Sequence, residues 1–123
     1  MRDLKKRLSL YKEYNRTISK IETEIKTCND KLKSAELKQK RDDMLIQAEL
    51  YKYKINNIIN KNIIKYEHNK IMHEYYIDNL SVENIAVKEK YSERYIWKII
   101  KKSLEIIYNN TVNNVDSFDE NIL

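Results

Sequence analysis

Along the first third of the chain, apolar positions recur at intervals of three and four: Tyr11, Tyr14, Ile18, Ile21, Ile25, Cys28, Leu32 and Ala35. Lys, Glu, Asn and Thr fill the positions between them. This is a heptad seam, and it predicts a first helix over roughly residues 2–28, about 40 Å long at 1.5 Å per residue. A helix this long and this polar cannot bury its stripe on itself. It needs a partner helix, either from the same chain or from a second one. Tyr11, Tyr14, Ile18, Ile21 and Ile25 are therefore the candidate oligomer or partner interface.

Cys28-Asn29-Asp30 and Lys33-Ser34 offer the best break, because Asn, Asp and Ser compete with helical hydrogen bonds and favour turns and N-caps. Two arrangements fit, a hairpin turning near residues 29–34 or one continuous rod to about residue 60. The hairpin is the better fit. A second run, Met44, Ala48, Tyr51, Ile55 and Ile58, repeats the spacing and would zip antiparallel against the first helix. The Asn-rich stretch 56–62 marks the junction between this arm and the C-terminal unit.

From residue 63 the pattern shortens. A helix is expected over about 63–78, with Ile64, Ile71, Tyr75 and Met72 on its inner side. Ser81 is a good N-cap, and Glu83 suits the positive end of the helix dipole. Ile85 and the small Ala86 point inward. Lys90 falls where a turn is needed, followed by Tyr91 and a second cap, Ser92. The last helix would bury Ile96, Ile99 or Ile100, Ser103, Leu104 and Ile107, ending near Tyr108. Two short helices, each opening on a serine and joined by a tight turn, make a helix-turn-helix pattern over residues 76–104. The expected fold is all-α: a coiled-coil hairpin arm (1–60), a helix-turn-helix bundle (61–108) and an acidic, flexible tail (109–123).

Composition narrows the chemistry. The 123 residues contain no Gly and no Pro, which argues for few, simple turns. Without glycine there is no phosphate-cradling loop of the usual kinds and no serine nucleophile elbow. His68 and His73 are five apart and do not share a helix face, so no metal site is expected. Glu and Asp alternate with Lys, as on solvated faces. No catalytic constellation and no cofactor site is found, and an enzyme is not expected. Cys28 is the only cysteine, which excludes an internal disulfide and suggests a reducing, cytoplasmic setting. No run of apolar residues suits a membrane span, and the basic N-terminus has no apolar run behind it as a secretory signal would.

Net charge is +5, and the tail contributes three acidic residues and no Lys or Arg, leaving a formal +8 on residues 1–108. A basic body suits an anionic partner such as nucleic acid.

Residues 63–108 resemble the fourth conserved region of bacterial sigma factors. The resemblance is carried by Tyr76, Leu80-Ser81, Ile85-Ala86, Tyr91-Ser92, Ile96, Ile99 and Leu104, with the Lys-Lys-Ser-Leu run at 101–104. The whole chain is similar to small phage-encoded sigma-like regulators grouped with the ArpU and RinA late-gene activators. The resemblance implies that the second helix of the motif, about 92–107, enters the major groove. It makes Glu93, Arg94, Trp97 and Lys98 the groove-facing set, with the cap Ser92 among the DNA-binding positions. Lys101 and Lys102 would lie further along the backbone, and Lys88 and Lys90 in the turn region would meet phosphate. Arg94 would bond a guanine bidentately and Glu93 would accept from a cytosine amine. Double-stranded DNA is the implied partner, RNA polymerase or another host protein a second, and a homodimer through the arm is expected.

Two positions depart from the sigma pattern. Lys90 stands where the turn usually has Gly, and Trp97 where a polar or basic residue is usual. Trp97 therefore suits a thymine methyl or deoxyribose, a protein partner, or burial under the preceding helix. Three functions stay open: a sequence-specific transcription regulator, a phage-encoded interaction protein or inhibitor acting through the arm and Trp97, and a DNA-packaging recognition subunit.

Overall fold

The computed structural model describes residues 2–113, and the described residues are helical with short connections and no strand. Helices α1 (Arg2–Leu8) and α2 (Leu10–Thr27) are followed by the long α3 (Lys31–Asn62), then α4 (Tyr66–Tyr76), α5 (Val82–Glu89) and α6 (Glu93–Asn113). The all-α class is as the sequence predicts, and the chain turns rather than continuing as a rod. The first helical stretch is interrupted only at Ser9, whose backbone stays in the right-handed helical region.

The turn depends on Asp30. Its carboxylate accepts from the backbone N–H of Leu32 (3.0 Å) and Lys33 (3.3 Å), satisfying two of the four donors a helix start leaves open. The turn also shifts the helical phase, so Leu32 and Ala35 are not a continuation of the seam. Both are exposed at the start of α3. The seam of α2 packs along α3 of the same chain. Ile18 and Ile21 are buried with Ala48, and the Tyr14 and Tyr51 rings meet at 5.1 Å. The partner that the first helix needs is thus supplied from within the chain.

A larger core lies at the base of the hairpin. Leu4 and Leu8 from α1 and Ile55, Ile58 and Ile59 from α3 form one cluster with Ile71, Met72, Ile85, Ile96, Ile100 and Ile107. The arm and the helix-turn-helix therefore share a core, and the expected boundary at residue 60 falls inside α3. The Asn-rich stretch belongs to this helix and ties it to its neighbours. Asn60 Oδ1 accepts from His73 Nε2 (2.8 Å) and Asn69 Nδ2 (3.1 Å), and Asn62 Oδ1 accepts from Asn110 Nδ2 (2.7 Å).

Three local expectations change. Ile64 is 90% exposed, because α3 runs to Asn62 and Ile63 takes the buried position before α4 begins at Tyr66. Ile99 and Ile100 are both buried, since α6 is covered from two sides. Helix α6 continues past Tyr108 to Asn113, so the first five residues assigned to a flexible tail are helical. The rest of that tail, 114–123, lies outside the described residues.

Lys90 adopts the left-handed conformation, φ 61° and ψ 43°, and closes α5 with Tyr91 N–H donating to the Ala86 carbonyl at 3.0 Å. The conformation costs a residue with a Cβ roughly 1–2 kcal/mol. Part of that cost is recovered on substitution by glycine, whose unfolded chain is more flexible. Lys90→Gly is expected to raise stability by about 0.5–1 kcal/mol, read as a higher urea midpoint with an unchanged slope.

Candidate nucleic-acid interface

Both serine caps form. Ser81 Oγ accepts from Asn84 N–H and Ser92 Oγ from Tyr95 N–H, each at 3.1 Å. They set where α5 and α6 begin, and Ile85 and Ala86 bury the α5 face that meets α6. Position by position, α6 then divides cleanly. Ile96, Ile99, Ile100, Ser103, Leu104 and Ile107 face inward. At 3.6 residues per turn, Arg94, Trp97, Lys98 and Lys101 fall together on the opposite, exposed face. Lys102 lies further round that exposed side, and Glu93 sits in the first turn beside the inward stripe, also exposed. Among the described residues, Arg94, Lys98, Lys101 and Lys102 make no ion pair.

Three links between helices hold this face in place. Glu67 on α4 accepts from the Tyr91 hydroxyl through Oε2 (3.0 Å) and from the Tyr95 hydroxyl through Oε1 (3.1 Å), clasping the start of α6. That hydrogen bond to Glu67, with burial and the carboxylate charge adding to it, pushes the Tyr91 hydroxyl above its ordinary range. Lys70 Nζ meets Glu89 Oε1 at 3.3 Å, and Lys88 Nζ meets Glu74 Oε2 at 2.7 Å, so α4 is pinned to α5 twice.

The third link reassigns a residue. The sigma resemblance gives Lys88 to phosphate, but its ammonium is engaged by the buried Glu74, only 2% exposed. Burial raises the Glu74 carboxyl above its usual range, against the opposing Lys88 contact. Removing the cation leaves a buried carboxylate unmatched. Lys88→Met is therefore expected to destabilise the fold in neutral buffer. The deficit should shrink as pH falls through the raised Glu74 range, because a protonated Glu74 needs no cation. Urea midpoints of both chains in neutral and mildly acidic buffer measure this.

Trp97 is neither buried nor isolated. It is 51% exposed and meets the Tyr75 ring edge-on at 5.9 Å. Lys12 of α2 stands 3.6 Å above the centroid of Tyr75, so the arm reaches the motif through a cation and two rings. Burial, and then the neighbouring Arg16, lower Lys12 to about 8, while the ring faces favour its charged form. Below this face, Lys5, Tyr75, Trp97, Ile100 and Leu104 line an open cleft of about 560 Å³.

Lys90 is exposed at the turn and Ser92 is exposed but uses its hydroxyl as the cap. The arm positions Ile18 and Ile21 are buried in the hairpin, Tyr11 packs against the main core, and Tyr14 and Ile25 are half-buried, so this set serves the chain's own packing. Glu67, Glu74, Lys70, Glu89 and Lys12 are not singled out by sequence reasoning. Only Glu74 carries a signal, a carboxylate three residues after buried Ile71 on the inner side of its helix. Comparison with family models, curated proteins and solved structures finds no match for this chain.

Proposed function

We propose that this chain is a sequence-specific DNA-binding transcription regulator of phage or mobile-element origin that lays α6 in the major groove. The observation that carries the reading is the exposed face of α6. Arg94, Lys98 and Lys101 share it with Trp97, on the second helix of a helix-turn-helix, without ion-pair partners among the described residues. Arg94 reads a guanine edge, Lys98 and Lys101 meet phosphate, and Trp97 covers a sugar or a thymine methyl. Glu93, at the edge of that face, meets a cytosine amine only if α6 enters by its N-terminus. Lys90 and Lys102 flank the face and meet the backbone. A mobility shift with mixed duplex DNA at roughly 50 and 200 mM salt tests the reading. Binding is expected to fall steeply between the two. No shift at the lower concentration would sink it.

A second reading takes a host protein, RNA polymerase included, as the partner. The half-exposed Trp97 beside an apolar cleft favours it, because an aromatic anchor next to a pocket is what protein interfaces use. A pull-down that survives Arg94→Ala and fails with Trp97→Ala would select this reading.

A further inference from the structure

Helix α1 and the first half of α2 carry a basic stripe outside the helix-turn-helix. Lys5, Ser9, Lys12 and Arg16 recur at intervals of four, three and four along a stretch that Ser9 leaves in the helical region, so they share one side. Lys5 and Arg16 are exposed and Lys12 is half-buried. None of the three cations has an ion pair among the described residues. Of the acids on this stretch, Asp3 lies opposite Lys5 on the helix, and Glu13 flanks the stripe beside Arg16 without pairing with it. The tertiary structure sets this stripe beside the reading helix. Lys5 and Ser9 line the same cleft as Trp97 and Lys101 of α6. Lys12 stands 3.6 Å over the Tyr75 ring, which in turn meets Trp97.

We propose that Lys5, Lys12 and Arg16 form a phosphate track along one edge of the major groove that α6 enters, with Lys101 at its inner end. The inference rests on the DNA-binding reading and extends it to helices outside the motif. A helix about 10–12 Å across fills a major groove about 12 Å wide, so whatever stands beside it meets the sugar–phosphate backbone edging the groove. Around α6, Ile100 and Leu104 face the cleft and Lys102 falls on the other flank, so both edges have a cation to meet them. From Lys5 to Arg16 the stripe runs about 16 Å, long enough to follow several phosphates of one strand at about 3.4 Å of rise each. Ser9 adds a hydroxyl donor between the cations. Lys12 and Arg16 are close enough to repel each other, and a phosphate between them relieves that repulsion. Glu105, the one acid on the cleft, stands a turn past Lys101 and ends the track there.

The test is the salt dependence of duplex binding by the full chain carrying Lys5→Ala and Arg16→Ala. Lys12 stays in place, because its ring contacts belong to the fold. Each lost phosphate contact removes about 0.9 from the slope of log affinity against log salt, so the pair should lower the slope by about 2. Affinity should fall several-fold on the preferred duplex and on a scrambled one alike, since phosphate contacts carry no sequence information. Circular dichroism should not change, because both side chains are exposed. Lys31→Ala with Lys33→Ala removes the same charge at the Asp30 turn, at the far end of the arm, and should leave the slope where it is. A slope that Lys5 and Arg16 do not move, or that the distant pair moves equally, overturns the track while leaving α6 as the reading helix. An unsubstituted chain that gives no shift at low salt removes the DNA reading itself, and the track with it.

Discussion

If α6 reads DNA as proposed, a chain carrying Arg94→Ala and Lys98→Ala is expected to bind duplex DNA roughly a hundredfold more weakly. Loss of a bidentate arginine–guanine contact costs about 1–3 kcal/mol, and a phosphate contact adds to it. The two residues should fail differently. Arg94→Ala should relax the preference for one base pair while leaving non-specific affinity largely intact. Lys98→Ala should weaken all sequences alike and reduce the salt slope by about 1. Both side chains are exposed and neither contributes an ion pair among the described residues, so circular dichroism and the unfolding midpoint should not move. Titrations against the preferred duplex and a scrambled one, each at two salt concentrations, separate these outcomes. Unchanged affinity in the double variant would remove α6 as the reading helix.

Ile96→Ala should have the largest effect on folding. Ile96 is fully buried where α6 packs into the shared core, in a cluster that draws on α1, α3, α4 and α5. Truncating such a side chain costs about 2–5 kcal/mol, the transfer term plus the cavity. A domain of this kind has about 5–15 kcal/mol to lose, so the variant should unfold at much lower denaturant. Because the arm's base and the motif share that core, both should unfold in the same transition. Two separated transitions, with the hairpin outlasting the motif, would contradict a shared core. Leu32→Ala is the matched control. Leu32 is as apolar but 72% exposed, and its loss should move stability by less than about 0.5 kcal/mol.

The sequence alone determined whatever depends on residues a few positions apart. The three-and-four spacing of Tyr11 to Ile25, the caps Ser81 and Ser92, the inward Ile85-Ala86 pair and the turn at Lys90 all follow from hydrogen bonds and side-chain directions within one or two helical turns. Those terms place the helix-turn-helix and the exposed face of α6. Tertiary structure decided which surfaces meet. Glu67 reaches Tyr95 across 28 positions, Lys88 reaches Glu74 from the next helix, and Asn110 reaches Asn62 across 48. No local preference encodes such pairs, because a glutamate or asparagine on a helix reads the same on a solvated face as it does beside a distant partner. The seam of α2 shows the same division. Its periodicity announced a need for a partner helix. Only the turn at Asp30 assigned that partner to α3 of the same chain, burying Ile18 and Ile21 and leaving Ile46, Leu50 and Tyr53 outside.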